Sequence, residues 1–212
     1  DENEIIDIVN DYSGIVVRSA TKITKNIINA GKSLKVLGRA GIGVDNIDIT
    51  AATDKGIVVM NTPYGNSITT AEHTISLMMS LARNISQADQ SIKLGKWEKS
   101  KFMGTELFGK VLGMIGCGNI GSLVAERSIG LKMKVIVYDP FVSEEHLHKI
   151  GAKKVELKEI FKLADFITLH TPLTNETKGI LNQKTMLECK KGVRIINCAR
   201  GGLIVEEDLL NL

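Results

Sequence analysis

No apolar run in this chain approaches the twenty or so residues that a membrane-spanning helix needs, so the sequence offers no transmembrane segment. Cysteine is scarce. Cys117, Cys189 and Cys198 are three in number and form no paired, closely spaced framework, which argues against a disulfide-stapled scaffold. They predict free thiols in a reducing compartment, the cytoplasm. Excess charge is also missing: 27 basic against 24 acidic residues leave +3, and the lysines are scattered, so there is no case for nucleic acid. Internal repeats and low-complexity tracts are absent. The acidic opening DENEIIDIVNDY is neither a signal nor a transit peptide. It has no initiator Met, and the last helical pattern stops abruptly at Leu212, so the chain is expected to be cut at both ends. What is present is ordinary for a globular protein: 212 residues, 43% hydrophobic and 24% charged, enough for one large domain or two small ones.

The most informative stretch is Val111 to Asp139. An apolar run, Val111 to Ile115, is short enough for a buried strand. Gly116, Gly118 and Gly121 follow in G-x-G-x-x-G spacing, then a helical pattern through Ile120, Val124 and Ile129, then a second apolar run ending on Asp139. Glycine alone is weak evidence, but strand, glycines, helix, strand and acid all fall in the order of a dinucleotide site. Gly116 would permit the tight turn, Gly118 the approach of a pyrophosphate, and Gly121 close helix packing. The helix start offers N–H groups to phosphates. An acid at Asp139 can accept both ribose hydroxyls and would repel a 2′-phosphate, which favours NAD over NADP.

Strands and helices alternate along the rest of the chain, which predicts an α/β protein with parallel sheets. Strands are expected at Gly14 to Val17, Leu34 to Leu37 and Ile57 to Met60, with helices at Thr24 to Ala30 and Asp45 to Thr53. Turn chemistry from Asn61 to Asn66 places a boundary, giving domains 1–63 and 64–212. Ser67 to Asn84 reads as one long helix, apolar on more than one side, so a second domain or subunit must cover part of it. Further on, Phe166 to Leu169 and Val193 to Asn197 are strands.

Ligands of open parallel sheets collect beyond the carboxyl ends of the strands. Arg200, followed by two glycines, stands at such an end, as a clamp for a substrate carboxylate or in a surface ion pair. Arg18 follows one strand, and Arg39 precedes Gly41-Ile42-Gly43, either an anion pocket or an ordinary turn. His146 and His148 lie two apart and cannot share a helix face for a metal, and no metal site is expected. His73 suits capping or an interface. His170 reads as a packed, hydrogen-bonded residue rather than a general acid. Cys198 lacks an identifiable base and reads as packing.

Together the segments VVRSATKIT, VLGRAGIGVDNID, GIVVMNTPYGNS, AEHTISLMMSLARNI, GKWEKSKFMGTEL, the glycine motif to YDP, ITLHTPLTNETKGILN and GVRIINCARGGLIVEEDLL resemble the D-isomer-specific 2-hydroxyacid dehydrogenases along essentially the whole chain. The resemblance implies two Rossmann-like or flavodoxin-like domains around a cleft. Residues 1–63 would be a partial substrate domain and 64–212 an NAD-binding domain, both incomplete. It implies hydride transfer between NAD and C2 of a small 2-hydroxy acid. Within the family the chain is most similar to the branch that oxidises 3-phospho-D-glycerate in L-serine synthesis. Glyoxylate or hydroxypyruvate reduction, and NAD sensing without turnover, are the alternatives. The implied catalytic residue is Arg200. Implied cofactor contacts are Gly116, Gly118, Asn119, Ile120, Gly121, Asp139, Thr171, Pro172, Cys198, Ala199 and Arg200. Implied substrate contacts are Arg18, Ser19, Arg39, Gly41, Ile42 and Gly43, with Asn66 at the hinge. Asn119 stands where many relatives carry a basic residue near the pyrophosphate. The family's acid/base histidine and its glutamate lie downstream of the Arg-Gly-Gly loop, so this chain alone is expected to be inactive. A homodimer or homotetramer is implied as well.

Overall fold

A computed structural model describes residues 1–212. The chain divides into two compact units, Asp1–Ser67 and Ile68–Leu212.

The first unit holds three parallel strands, β1 (Gly14–Val17), β2 (Val36–Arg39) and β3 (Val58–Asn61), side by side in that order. Val17 pairs with Arg39 and Arg39 with Asn61, so all three strands end at one edge. Ile27 and Ile28 of the helix Lys25–Ala30, and Ala51 and Ala52 of the helix Ile49–Asp54, pack on Leu37 and Ile57. Both helices start where the sequence supplies a cap: the Thr24 hydroxyl accepts from Ile27 N–H and the Asp48 carboxylate from Ala51 N–H. The second cap corrects the expected helix from Asp45. Residues 44–47 form a turn instead, closed by Ile47 N–H on the Val44 carbonyl. β2 likewise begins two residues later than expected, because Leu34 is buried in the turn that Gly31 opens.

The second unit holds β4 (Val111–Ile115), β5 (Lys134–Tyr138), β6 (Lys153–Lys154), β7 (Phe166–Leu169) and β8 (Arg194–Asn197). All are parallel, in the order β6-β5-β4-β7-β8. Both faces of this sheet are covered. One core joins Val124 and Ala125 to Met78 and Ala82, and the other joins Ile160, Phe161 and Ala164 to Ile167 and Leu169. Burial on both sides is why β4 is a continuous apolar run rather than an alternating one, and why all four residues of β7, Thr168 included, are buried. Chain order reverses between β4 and β7.

The long helix runs Ser67–Arg83 and stops where Asn84 turns left-handed, at φ 53°. A second helix, Ile85–Lys93, follows that the apolar spacing does not reveal. The face carrying Ala71, Met78 and Ala82 is buried within the unit, while Ile68, Leu77 and Leu81 are exposed on this chain. No helix is long and apolar enough to cross a membrane.

Candidate functional site

In the second unit the site residues gather at the point where strand order reverses. Gly116, off the end of β4, has φ 92°. A Cβ there would lie 2.7 Å from the His170 carbonyl oxygen, off the end of β7. Only glycine allows the two strand ends to close up in this way. At Gly121 a Cβ would meet the Gly116 carbonyl oxygen, again at 2.7 Å, so the helix Asn119–Gly130 rests directly on the turn. Gly118 differs from both: nothing lies within 4 Å of where its Cβ would be. It is the N-cap of that helix, and no side chain caps the first turn. An open, uncapped helix start facing the strand ends is a ready anion site.

Asp139 is buried just past β5, and backbone groups fix its carboxylate on both oxygens. Cys117 N–H donates to Oδ2 at 2.8 Å; Phe141 and Val142 N–H donate to Oδ1 at 2.8 and 3.2 Å. The acid therefore ties the glycine loop to the end of β5 while retaining lone pairs for further donors. Thr171 contributes a buried hydroxyl with no protein partner. Burying such a group without a partner is unfavourable, and a bound ligand would relieve it. Open space at Gly118, an uncapped helix start, a fixed acid and an orphaned hydroxyl together fit a dinucleotide.

Arg200 sits half-buried in the loop after β8. Its Nη1 donates to the Ala199 carbonyl at 2.8 Å. Asn197, the last residue of β8, shapes this loop from both sides: Oδ1 accepts from Ala199 N–H at 3.0 Å and Nδ2 donates to the Arg200 carbonyl at 2.8 Å. The expected site residues do not include Asn197. Its one signal in the sequence is an asparagine two residues before a loop N–H, the pattern of an Asx turn. Cys198 packs against the core beside it.

His170 is a packed residue. Its Nε2 lies 3.0 Å from the Thr168 hydroxyl, and burial pushes its pKa down from 6.5 to about 4. A histidine held neutral in the folded state but free to protonate when unfolded gives stability that is complete above about pH 6.5 and declines toward pH 4. The melting temperature of His170→Gln should accordingly fall less than that of the parent over this interval. Parallel pH curves would contradict the assignment. His73, His146 and His148 are exposed. Burial raises the pKa of the Cys117 thiol, which leaves it unreactive. No three acidic, histidine or cysteine side chains converge as a metal site would require.

In the first unit, Arg18 and Ser19 are exposed just past β1. Arg39, at the end of β2, folds back over the following turn, and its guanidinium fills the space where a Gly41 side chain would be. The turn is held from β3, with Asn61 Nδ2 on the Ile42 carbonyl at 2.7 Å and Thr62 N–H on the Gly41 carbonyl at 3.0 Å. Two arginines and a glycine turn therefore share one sheet edge. Asn66 lies exposed close to the end of this unit.

Residues 75–212 match the family model "D-isomer specific 2-hydroxyacid dehydrogenase, NAD binding domain". The chain is 55% identical over 209 residues to D-3-phosphoglycerate dehydrogenase of Pongo abelii, and 51% identical over 204 residues to that of Bacillus subtilis. These alignments take in 99% and 96% of the chain but only 39% of each relative, so the chain spans about two fifths of their length. Among solved structures it is similar to D-lactate dehydrogenase from Aquifex aeolicus in complex with NAD and lactic acid, with a TM-score of 0.90 and 32% identity, covering 100% of this chain and 62% of that one.

Proposed function

Since the chain belongs to the D-isomer-specific 2-hydroxyacid dehydrogenases and carries their NAD-binding domain, we propose that it serves the NAD-dependent oxidation of 3-phospho-D-glycerate to 3-phosphohydroxypyruvate, the first step of L-serine biosynthesis. The observation that carries the cofactor half of this reading is the open, uncapped helix start at Gly118, beside a fixed Asp139. Identity above 50% to relatives named for this substrate supports the other half.

In this reading Gly118, Asn119 and Ile120 receive the pyrophosphate, Asp139 accepts from the adenosine ribose, and Thr171, Pro172, Cys198 and Ala199 line the nicotinamide side. NAD, when bound, supplies the acceptor for the hydride of C2. The Arg200 guanidinium holds the substrate carboxylate and stabilises negative charge developing on the C2 oxygen. Arg18, Ser19, Arg39 and the Gly41-Ile42-Gly43 turn take the anionic end, with Asn66 as a hinge residue. The resemblance assigns the hydroxyl proton to a histidine, its pKa raised by a glutamate, downstream of the Arg200 loop; His170, engaged with Thr168, takes no part in that step. The first unit is thus the substrate domain and the second the cofactor domain. The exposed Ile68, Leu77 and Leu81 of the helix Ser67–Arg83 offer a face for homodimerisation. The free thiols suit the cytoplasm.

The test is turnover by the full-length protein, read as NADH formation. Activity with 3-phosphoglycerate is expected. Activity confined to glycerate, glyoxylate or D-lactate would move the substrate elsewhere in the family, and NAD binding without any turnover would favour a sensing module. Replacing Arg18 and Arg39 together by Gln should raise KM for phosphoglycerate by at least about tenfold more than for glycerate, because only the phosphorylated substrate needs the extra cations. Equal losses would exclude these arginines as the phosphate site.

A further inference from the structure

A single side chain joins two loops at the carboxyl edge of the first unit's sheet. Nδ2 of Asn46 donates to the Arg18 carbonyl at 2.8 Å and to the Thr21 carbonyl at 2.6 Å. The Asn46 backbone runs in the same seam. Ile23 N–H donates to the Asn46 carbonyl at 2.8 Å and Asp48 N–H to the Ile23 carbonyl at 2.9 Å, forming a parallel bridge between Ile23 and Ile47. Oδ1 of Asn46 is enclosed and has no protein donor. The carboxamide is therefore held through its donors, and both act on the loop that carries Arg18 and Ser19.

We infer that Asn46 is a positioning residue for recognition of the substrate's anionic group, acting by setting the Arg18–Thr21 loop against the Gly41-Ile42-Gly43 turn. This rests on the proposed function, in which Arg18 and that turn meet the anion. Arg18 and Ser19 are exposed, and a guanidinium on a free loop must lose backbone as well as side-chain freedom when it binds. Pinning the carbonyl of Arg18 itself removes the backbone part in advance. Asparagine suits the task because one nitrogen carries two N–H groups and can reach two carbonyls. Aspartate would aim a carboxylate at both carbonyl oxygens, and alanine would leave both without a donor.

A double-mutant cycle on the full-length protein tests this, with 3-phosphoglycerate and NAD as substrates. Asn46→Ala is expected to raise KM for 3-phosphoglycerate about tenfold while kcat changes less than about twofold, and Asn46→Asp to raise it further. The double variant with Arg18→Gln should be no worse than Arg18→Gln alone, because loop position ceases to matter once the guanidinium is gone. NAD affinity, which resides in the second unit, should be the same in all four proteins. A purely structural role predicts additive losses, and either additivity or an unchanged KM in Asn46→Ala overturns the inference. If Asn46→Ala loses its thermal transition, Asn46→Ser, which can still donate to one carbonyl, takes its place with an intermediate KM expected. If the parent protein turns over another 2-hydroxy acid instead, the substrate reading fails and the same cycle, run with that acid, decides the role of Asn46. A parent inert with every 2-hydroxy acid overturns both.

Discussion

Arg200→Ala in the full-length protein should lower kcat with 3-phosphoglycerate on the order of a thousandfold, a far larger loss than any weakening of NAD binding. Arg200 offers a planar, permanently charged donor at the end of β8 that can hold the carboxylate by two parallel bonds. Arg200→Lys keeps the charge but not the paired geometry, and it should recover only a small part of the rate. The loop is shaped by Asn197, which spans Ala199 N–H and the Arg200 carbonyl, so the guanidinium sits on a defined backbone rather than a flexible tip. Turnover of Arg200→Ala within about tenfold of the parent would remove this residue from the chemistry.

Two glycines of one motif should fail in opposite ways. Gly121→Ala places a Cβ 2.7 Å from the Gly116 carbonyl oxygen, a backbone atom that cannot step aside without opening the turn off β4. It should destabilise the second unit by about 1–3 kcal/mol, visible as a lower melting temperature with or without NAD. Gly118→Ala meets no atom within 4 Å, and its φ of −74° suits any residue, so the melting temperature without NAD should not move. The same methyl group stands where a pyrophosphate must approach, and NAD affinity should fall by at least about tenfold. Unaltered NAD binding in Gly118→Ala would show that the phosphates lie elsewhere.

Much of the second unit is legible in its residues alone. β4 and β7 fall where the sequence patterns point, because each is a short, mostly apolar stretch bounded by turn chemistry. Legibility falls where local signals compete. Asp45 and Asp48 both look like helix caps, and only the folded backbone shows that Asp48 holds Ala51 N–H. β6 is two residues long, too short to display a period, and pairs only with β5 at the sheet edge. Asn84 ends a helix through a left-handed turn that apolar spacing does not encode.

The sequence by itself determined the class of ligand. The glycine spacing, the acid a strand further on and the arginine before two glycines are local patterns, and local chemistry is what a linear chain displays. Only the tertiary structure decided which groups act on one another. It set His170 on Thr168 in an interior that keeps it neutral, brought Cys117 N–H to Asp139 across 22 residues, and laid the Asn46 carboxamide on the Arg18 loop across 28. Such contacts depend on which strand ends the parallel crossovers bring to the same edge. That is a property of the folded sheet and not of any stretch of the chain.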